Sequence, residues 1–154
     1  MKAETENIGA KIVATAYKEV GYTEYPADSN KTKFGKWFGL DGVKWCGIFV
    51  SWVYAMAGKP LGNVGFLKGF AGTQYAFAYY KKKGKIVTTP QAGDIVFFDW
   101  NNDGRIDHTG IFIGDINGKI FTSVEGNTSA KNDSNGGGVM ERARSYKHAT
   151  FVRP

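Results

Sequence analysis

One cysteine, Cys46, is all the chain has in 154 residues, so no internal disulfide can form and the fold does not depend on oxidation. No apolar run at the N-terminus is long enough for a signal peptide or a membrane span. The expectation is a chain made in the cytoplasm, which reaches any outer target after release or by a route it does not encode. Acidic residues are the minority, 14 against 20 Lys and Arg, for a net charge of +6 and a pI near 9.3. That surplus attracts polyanions: nucleic acid, anionic lipid, or a cell wall carrying phosphate polymers. Zinc-finger spacing, an RNP-type strand and a recognition-helix pattern are all missing, so specific nucleic-acid binding is not expected. Histidine is scarce too, with only His108 and His148 available as neutral-pH bases.

Hydrophobic residues make up 42% and aromatics 15%, enough for a packed core and an aromatic-lined groove besides. Internal repeats and linkers are lacking, so residues 1–154 read as a single domain. The run Lys81-Lys82-Lys83 is the densest positive charge, but it falls at a helix end, where the dipole favours lysine.

The chain is organised around Trp45-Cys46-Gly47-Ile48-Phe49-Val50-Ser51-Trp52-Val53-Tyr54. Cys46, Phe49, Val50, Val53 and Tyr54 recur at three- and four-residue spacing and predict one buried helix face. Gly58-Lys59-Pro60 stops that helix, and the turn at Leu40-Asp41-Gly42 places Cys46 in its first turn. A thiol there meets the positive end of the helix dipole, which favours the thiolate. The plainer alternative is a small buried hydrophobe among aromatics.

Before this helix, Thr5 to Val20 reads as an amphipathic helix capped by Thr5, with Ile8, Ile12, Val13, Ala16 and Val20 inward and Gly21 at its end. Residues 22–44 read as a long ordered loop carrying Tyr25, Phe34, Trp37 and Phe38, of a length that is usually functional. After it come a glycine-rich crossing over 62–72 and a short helix over Thr73–Lys83. The period then changes to that of strands: 93–98, 109–114, 119–125, 139–144 and 149–152, with Asn117-Gly118 as a hairpin turn. Helices first and an antiparallel meander second predict an α+β domain.

His108 opens a strand just after a turn, and Glu125 and Asn127 close the next one, two residues apart and so on one face if the strand continues. The hairpin turn near 117–118 brings both positions to its open end. A thiolate packed on that sheet completes a Cys–His–carboxylate or Cys–His–amide arrangement. His148, in the polar Ser145-Tyr146-Lys147 neighbourhood, has no such partners in sequence.

Taken together, Trp45-Cys46 with Phe49-Val50-Ser51-Trp52, then Pro90-x-x-Gly93-Asp94-Ile95-Val96-Phe97-Phe98, Asp107-His108-Thr109-Gly110-Ile111 and Glu125-Gly126-Asn127, resemble the CHAP family. These are cysteine, histidine-dependent amidohydrolases/peptidases, related to the NlpC/P60 peptidases and the papain-like fold, and the flavour here is that of bacteriophage endolysin catalytic domains. The resemblance implies a peptidoglycan hydrolase, either an N-acetylmuramoyl-L-alanine amidase or a crossbridge endopeptidase; the chain is expected to be a monomer, with room for a wall-binding domain to follow in a longer natural chain. It implies Cys46 as nucleophile, His108 as general base and acid, Glu125 as the His-orienting residue and Asn127 as an auxiliary polar group. A non-catalytic wall-binding module and a basic polyanion-binding domain are the competing readings.

A separate motif, Asp99-x-Asn101-x-Asp103-Gly104-Arg105-x-Asp107, matches six positions of an EF-hand calcium loop. Position 12 is Gly110 instead of Glu, and an Asx-rich turn without metal is the alternative. Asp28, Asn30 and Asp41 offer a second candidate Ca²⁺ region ahead of Cys46.

Overall fold

The computed structural model describes residues 8–154, and the expected Thr5 cap lies outside them. Helix α1, Ile8–Lys18, buries Ile12 and Ala16 on its inner face. It stops short of Val20, which is exposed, because the chain turns to pair with a strand: Gly21 N–H donates to Val139 O and Val139 N–H to Tyr22 O. The expected loop over 22–44 holds a short helix as well, α2 at Lys33–Phe38. Thr32 caps it by accepting from Gly35 N–H, Gly39 leaves it in the left-handed conformation, and Phe34 and Phe38 are buried. Six residues with a central glycine carry too little periodicity to show as a helix in sequence.

Helix α3, Cys46–Met56, is the centre of the molecule. Cys46 is its first residue, and Ile48, Phe49, Val50 and Val53 are fully buried. It lies against α1, α2 and two strands, so it is apolar on nearly every side rather than along one stripe. Truncating Phe49 to alanine there would cost about 3–5 kcal/mol. Helix α4, Thr73–Lys82, carries Lys81 and Lys82 in its last turn, as the dipole favours.

Six strands follow: β1 Ile86–Val87, β2 Ile95–Phe98, β3 His108–Asp115, β4 Ile120–Thr128, β5 Gly138–Ser145 and β6 Ala149–Val152. They form one antiparallel sheet in the order β1-β6-β2-β3-β4-β5. Strands β2 to β5 run as the expected meander. The last strand departs from it: after a 3₁₀ turn at Tyr146–His148, β6 inserts between β1 and β2.

The sheet is buried on both faces. Ile95, Phe97, Ile111 and Val124 pack toward α3, while Val96, Phe98, Phe112, Phe121 and Phe151 form a second aromatic core on the other side. Period-two alternation puts His108 with Phe112, and Glu125 with Phe121, on this second face. The result is the expected α+β architecture, consistent with a papain-like arrangement of a helix N-terminus against a sheet. Among the described residues, no helix is long and apolar enough to cross a membrane.

Candidate active site

Two strand ends and one helix tip converge. Cys46 begins α3, His108 begins β3, and Glu125 sits near the end of β4, each almost wholly buried. Gly126 lets the helix come this close: a Cβ there would lie 2.7 Å from Phe49 Cβ and 2.8 Å from the Trp45 ring. Gly110 does the same across the hairpin, where a Cβ would meet Glu125 Cγ at 2.6 Å. The position that lacks the EF-hand glutamate is therefore filled by the Glu125 side chain.

His108 Nε2 lies 2.9 Å from Glu125 Oε1. Its other ring nitrogen, Nδ1, is buried with no hydrogen-bond partner among the described residues. Burial opposes charge on this ring, yet Cys46 and Glu125 outweigh it and push the His108 pKa from 6.5 up to about 9. Since Glu125 occupies Nε2, Nδ1 is the nitrogen left for the thiol. Phe98 and Trp100 stack beside the imidazole at ring-centre distances of 5.9 and 6.1 Å.

Glu125 is fully buried and still ionised. Burial works to raise its pKa, but hydrogen bonds from Arg144 and His108 carry it from 4.5 down to about 2. Arg144 Nε donates to Oε2 at 2.9 Å and Nη2 to Oε1 at 2.6 Å, and the Ser123 hydroxyl donates to Oε2.

Asn127 stands elsewhere. The expectation that it shares a face with Glu125 fails because the β4–β5 register shifts between Glu125 and Thr128, and Asn127 takes φ = 59°. Its Oδ1 accepts the Trp45 N–H at 2.9 Å, and its Nδ2 donates to Gly136 O at 2.8 Å. It anchors the residue before Cys46 and does not touch the imidazole through a hydrogen bond. Trp45 is held a second time by Nε1 donating to Glu24 Oε2 at 3.0 Å.

The Asp99–Asp107 segment connects β2 to β3, and its carboxylates turn onto their own backbone. Asp99 accepts from Asp103 and Gly104 N–H, Asp103 from Arg105 N–H, and Asp107 from Trp100 N–H. Asn101 and Arg105 are exposed. Among the described residues, no three His, Cys, Asp or Glu side chains gather as a metal cage. The Asp103 carboxylate also meets the side chains of Asn101 and Asp99, and carboxylate oxygens keep lone pairs beyond their backbone bonds, so these are the residues that would hold a calcium ion here. Ahead of Cys46 the picture is similar: Asp41 accepts from Thr32 and Gly42 N–H, and Asn30 accepts from Asn127.

His148 meets the far side of the aromatic layer, its ring 6.1 Å from Trp100 and its Nδ1 buried with no hydrogen-bond partner among the described residues. Sequence reasoning passed over Arg144, Ser123 and Glu24. The available signal for Arg144 was a lone carboxylate in an otherwise uncharged strand, which needs a cation if buried, and an antiparallel neighbour carrying arginines at 142 and 144.

A family model described as the CHAP domain matches residues 38–127, more than half of the chain. The match spans Cys46, His108, Glu125 and Asn127 and leaves Glu24, Asp133 and Arg144 outside. No curated protein matches the chain.

Proposed function

The chain belongs to the CHAP domain family, whose amidohydrolase and peptidase members act on peptidoglycan, and we propose that it hydrolyses a peptidoglycan amide bond through a Cys46 thioester. The observation that carries this reading is the buried line from Glu125 to His108 to Cys46, in which the groups on either side of the imidazole both raise its pKa. The reactive form in this mechanism is a thiolate beside an imidazolium, since the thiolate is the nucleophile.

The Cys46 sulfur attacks the scissile carbonyl carbon, and the C=O electron pair moves to oxygen. The Cys46 N–H, one of the first-turn groups with no partner inside the helix, is placed to stabilise that oxyanion. His108 Nδ1–H gives its proton to the leaving nitrogen as the C–N bond breaks, which leaves a thioester. A water molecule then adds to the thioester carbonyl while Nδ1 takes its proton, and the acid and thiolate are released. Glu125 keeps the ring turned with Nδ1 toward the sulfur throughout.

The basic surface recruits the anionic wall, and the enzyme acts as a monomer after release from the cell that makes it. Mass spectrometry of muropeptides from purified walls tests the function and names the bond. New free amino groups on alanine indicate an amidase, and new crossbridge or stem-peptide termini indicate an endopeptidase. Walls that yield neither over prolonged digestion would overturn the proposal.

A further inference from the structure

The group that fixes Glu125 lies on β5, outside the segment that matches the family. Arg144 reaches the carboxylate with two parallel N–H donors, Nε to Oε2 at 2.9 Å and Nη2 to Oε1 at 2.6 Å. A third, Nη1, donates to Asp133 Oδ1 at 2.8 Å in the loop between β4 and β5. The guanidinium plane lies over Trp100 at 4.8 Å and Phe98 at 5.6 Å, the same two rings that flank His108. Only 8% of the residue is exposed. Glu125 Oε1 is shared between Arg144 and His108, so the angle at which the carboxylate meets Nε2 is set by the arginine fork.

We infer that Arg144 is a positioning residue for the reaction, holding Glu125 in the one orientation that faces His108 Nε2. This rests on the reading of Cys46 and His108 given above. A bare ion pair would tie β5 to β4 equally well with lysine, but lysine offers a point charge and cannot reproduce two parallel donors. The charged and titratable groups facing the pair are few. Glu125 meets Arg144 from β5 and His108 from β3, Asp133 stands behind Arg144, and His108 meets Cys46 from α3. Without the fork, the carboxylate loses two of its donors and protonates at higher pH. The imidazole meanwhile loses a fixed acceptor and deprotonates at lower pH. Both limbs of the pH profile then move inward.

The test compares wild type with Arg144→Met and Arg144→Lys, reading melting temperature, kcat and KM on purified walls, and the pH dependence of Cys46 alkylation by iodoacetamide. The alkylation arm needs no substrate, and Cys46 is the sole thiol. The expected result is an unchanged KM, a kcat lower by about tenfold or more, limbs of kcat/KM followed across pH displaced inward by about one pH unit, and an onset of Cys46 alkylation moved to higher pH in both variants. The lysine variant keeps the charge, so it reads the fork even if the methionine variant fails to fold. Limbs unmoved in Arg144→Lys, with activity lost only in step with melting temperature, would overturn the inference and leave a strand tie. Wall cleavage by Cys46→Ala would overturn the underlying reading instead, and this inference with it.

Discussion

The Trp45 N–H donates to Asn127 Oδ1 at 2.9 Å, so the residue ahead of Cys46 is fastened to the end of β4. Both partners are fully buried, and leaving the N–H without an acceptor costs about 1–3 kcal/mol. Asn127→Gly relieves the left-handed backbone at φ = 59° but removes the acceptor, so strain and hydrogen bond are separated. The expected outcome is a lower melting temperature and a wall-cleavage rate reduced by about tenfold or more. Asn127→Asp, which keeps Oδ1, should retain more activity than Asn127→Gly. Equal losses in the two variants would deny the Trp45 contact its role.

The choice of histidine is the second prediction. His108→Ala removes the base and acid, and general acid–base groups of this kind contribute about 10²–10⁴-fold. His148→Ala takes away a ring that meets Trp100 on its outer side, and cleavage should stay within about twofold of wild type. Rates of the two variants on the same wall preparation decide it, and comparable losses would mean the site is misassigned.

Much of this site was legible in the chain itself. Cys46 ahead of an apolar helix, His108 after a turn and Glu125 one hairpin later are local signals, and antiparallel pairing turns them into neighbours. The α+β class followed from the change of period at Gly84. The rest depended on contacts between distant segments. Asn127 leaves its strand face because of a bulge, and bulges have no single-residue signature. Helix α2 is held by Phe34 and Phe38 packing on α3 rather than by its own propensity. The place of β6 between β1 and β2 is a crossing that periodicity cannot reveal.

Stability should follow pH through the same pair. The His108 pKa is raised in the fold, so its contribution is fully present below about 6.5 and is lost as pH rises through about 9. The Glu125 pKa is depressed, so its contribution is present above 4.5 and is lost as pH falls toward about 2. Melting temperature should fall on the alkaline side of neutrality in wild type. His108→Gln, unable to titrate, should flatten that limb. A limb of the same slope in the variant would assign the effect to other groups.

Calcium is the fourth prediction. The carboxylates of Asp99, Asp103 and Asp107 accept from backbone N–H groups and keep further lone pairs, so a cation can bind without displacing those bonds. Calcium should raise the melting temperature and chelation lower it, with Asp103→Ala acting like chelation. At one hundred times a real dissociation constant, calcium would add about 2.7 kcal/mol of stability. Coincident melting curves in calcium and in chelator, with no heat on calorimetric titration, would leave this segment an Asx-rich turn.

Wall cleavage by protein fully alkylated at Cys46 tests the central claim most directly. The chain has no second thiol, so modification is confined to one atom, and mass spectrometry establishes that it is complete. Release of amino groups from purified walls should fall to the level of the Cys46→Ala variant, with the melting curve still cooperative. Release at the unmodified rate by the fully alkylated protein would contradict the account.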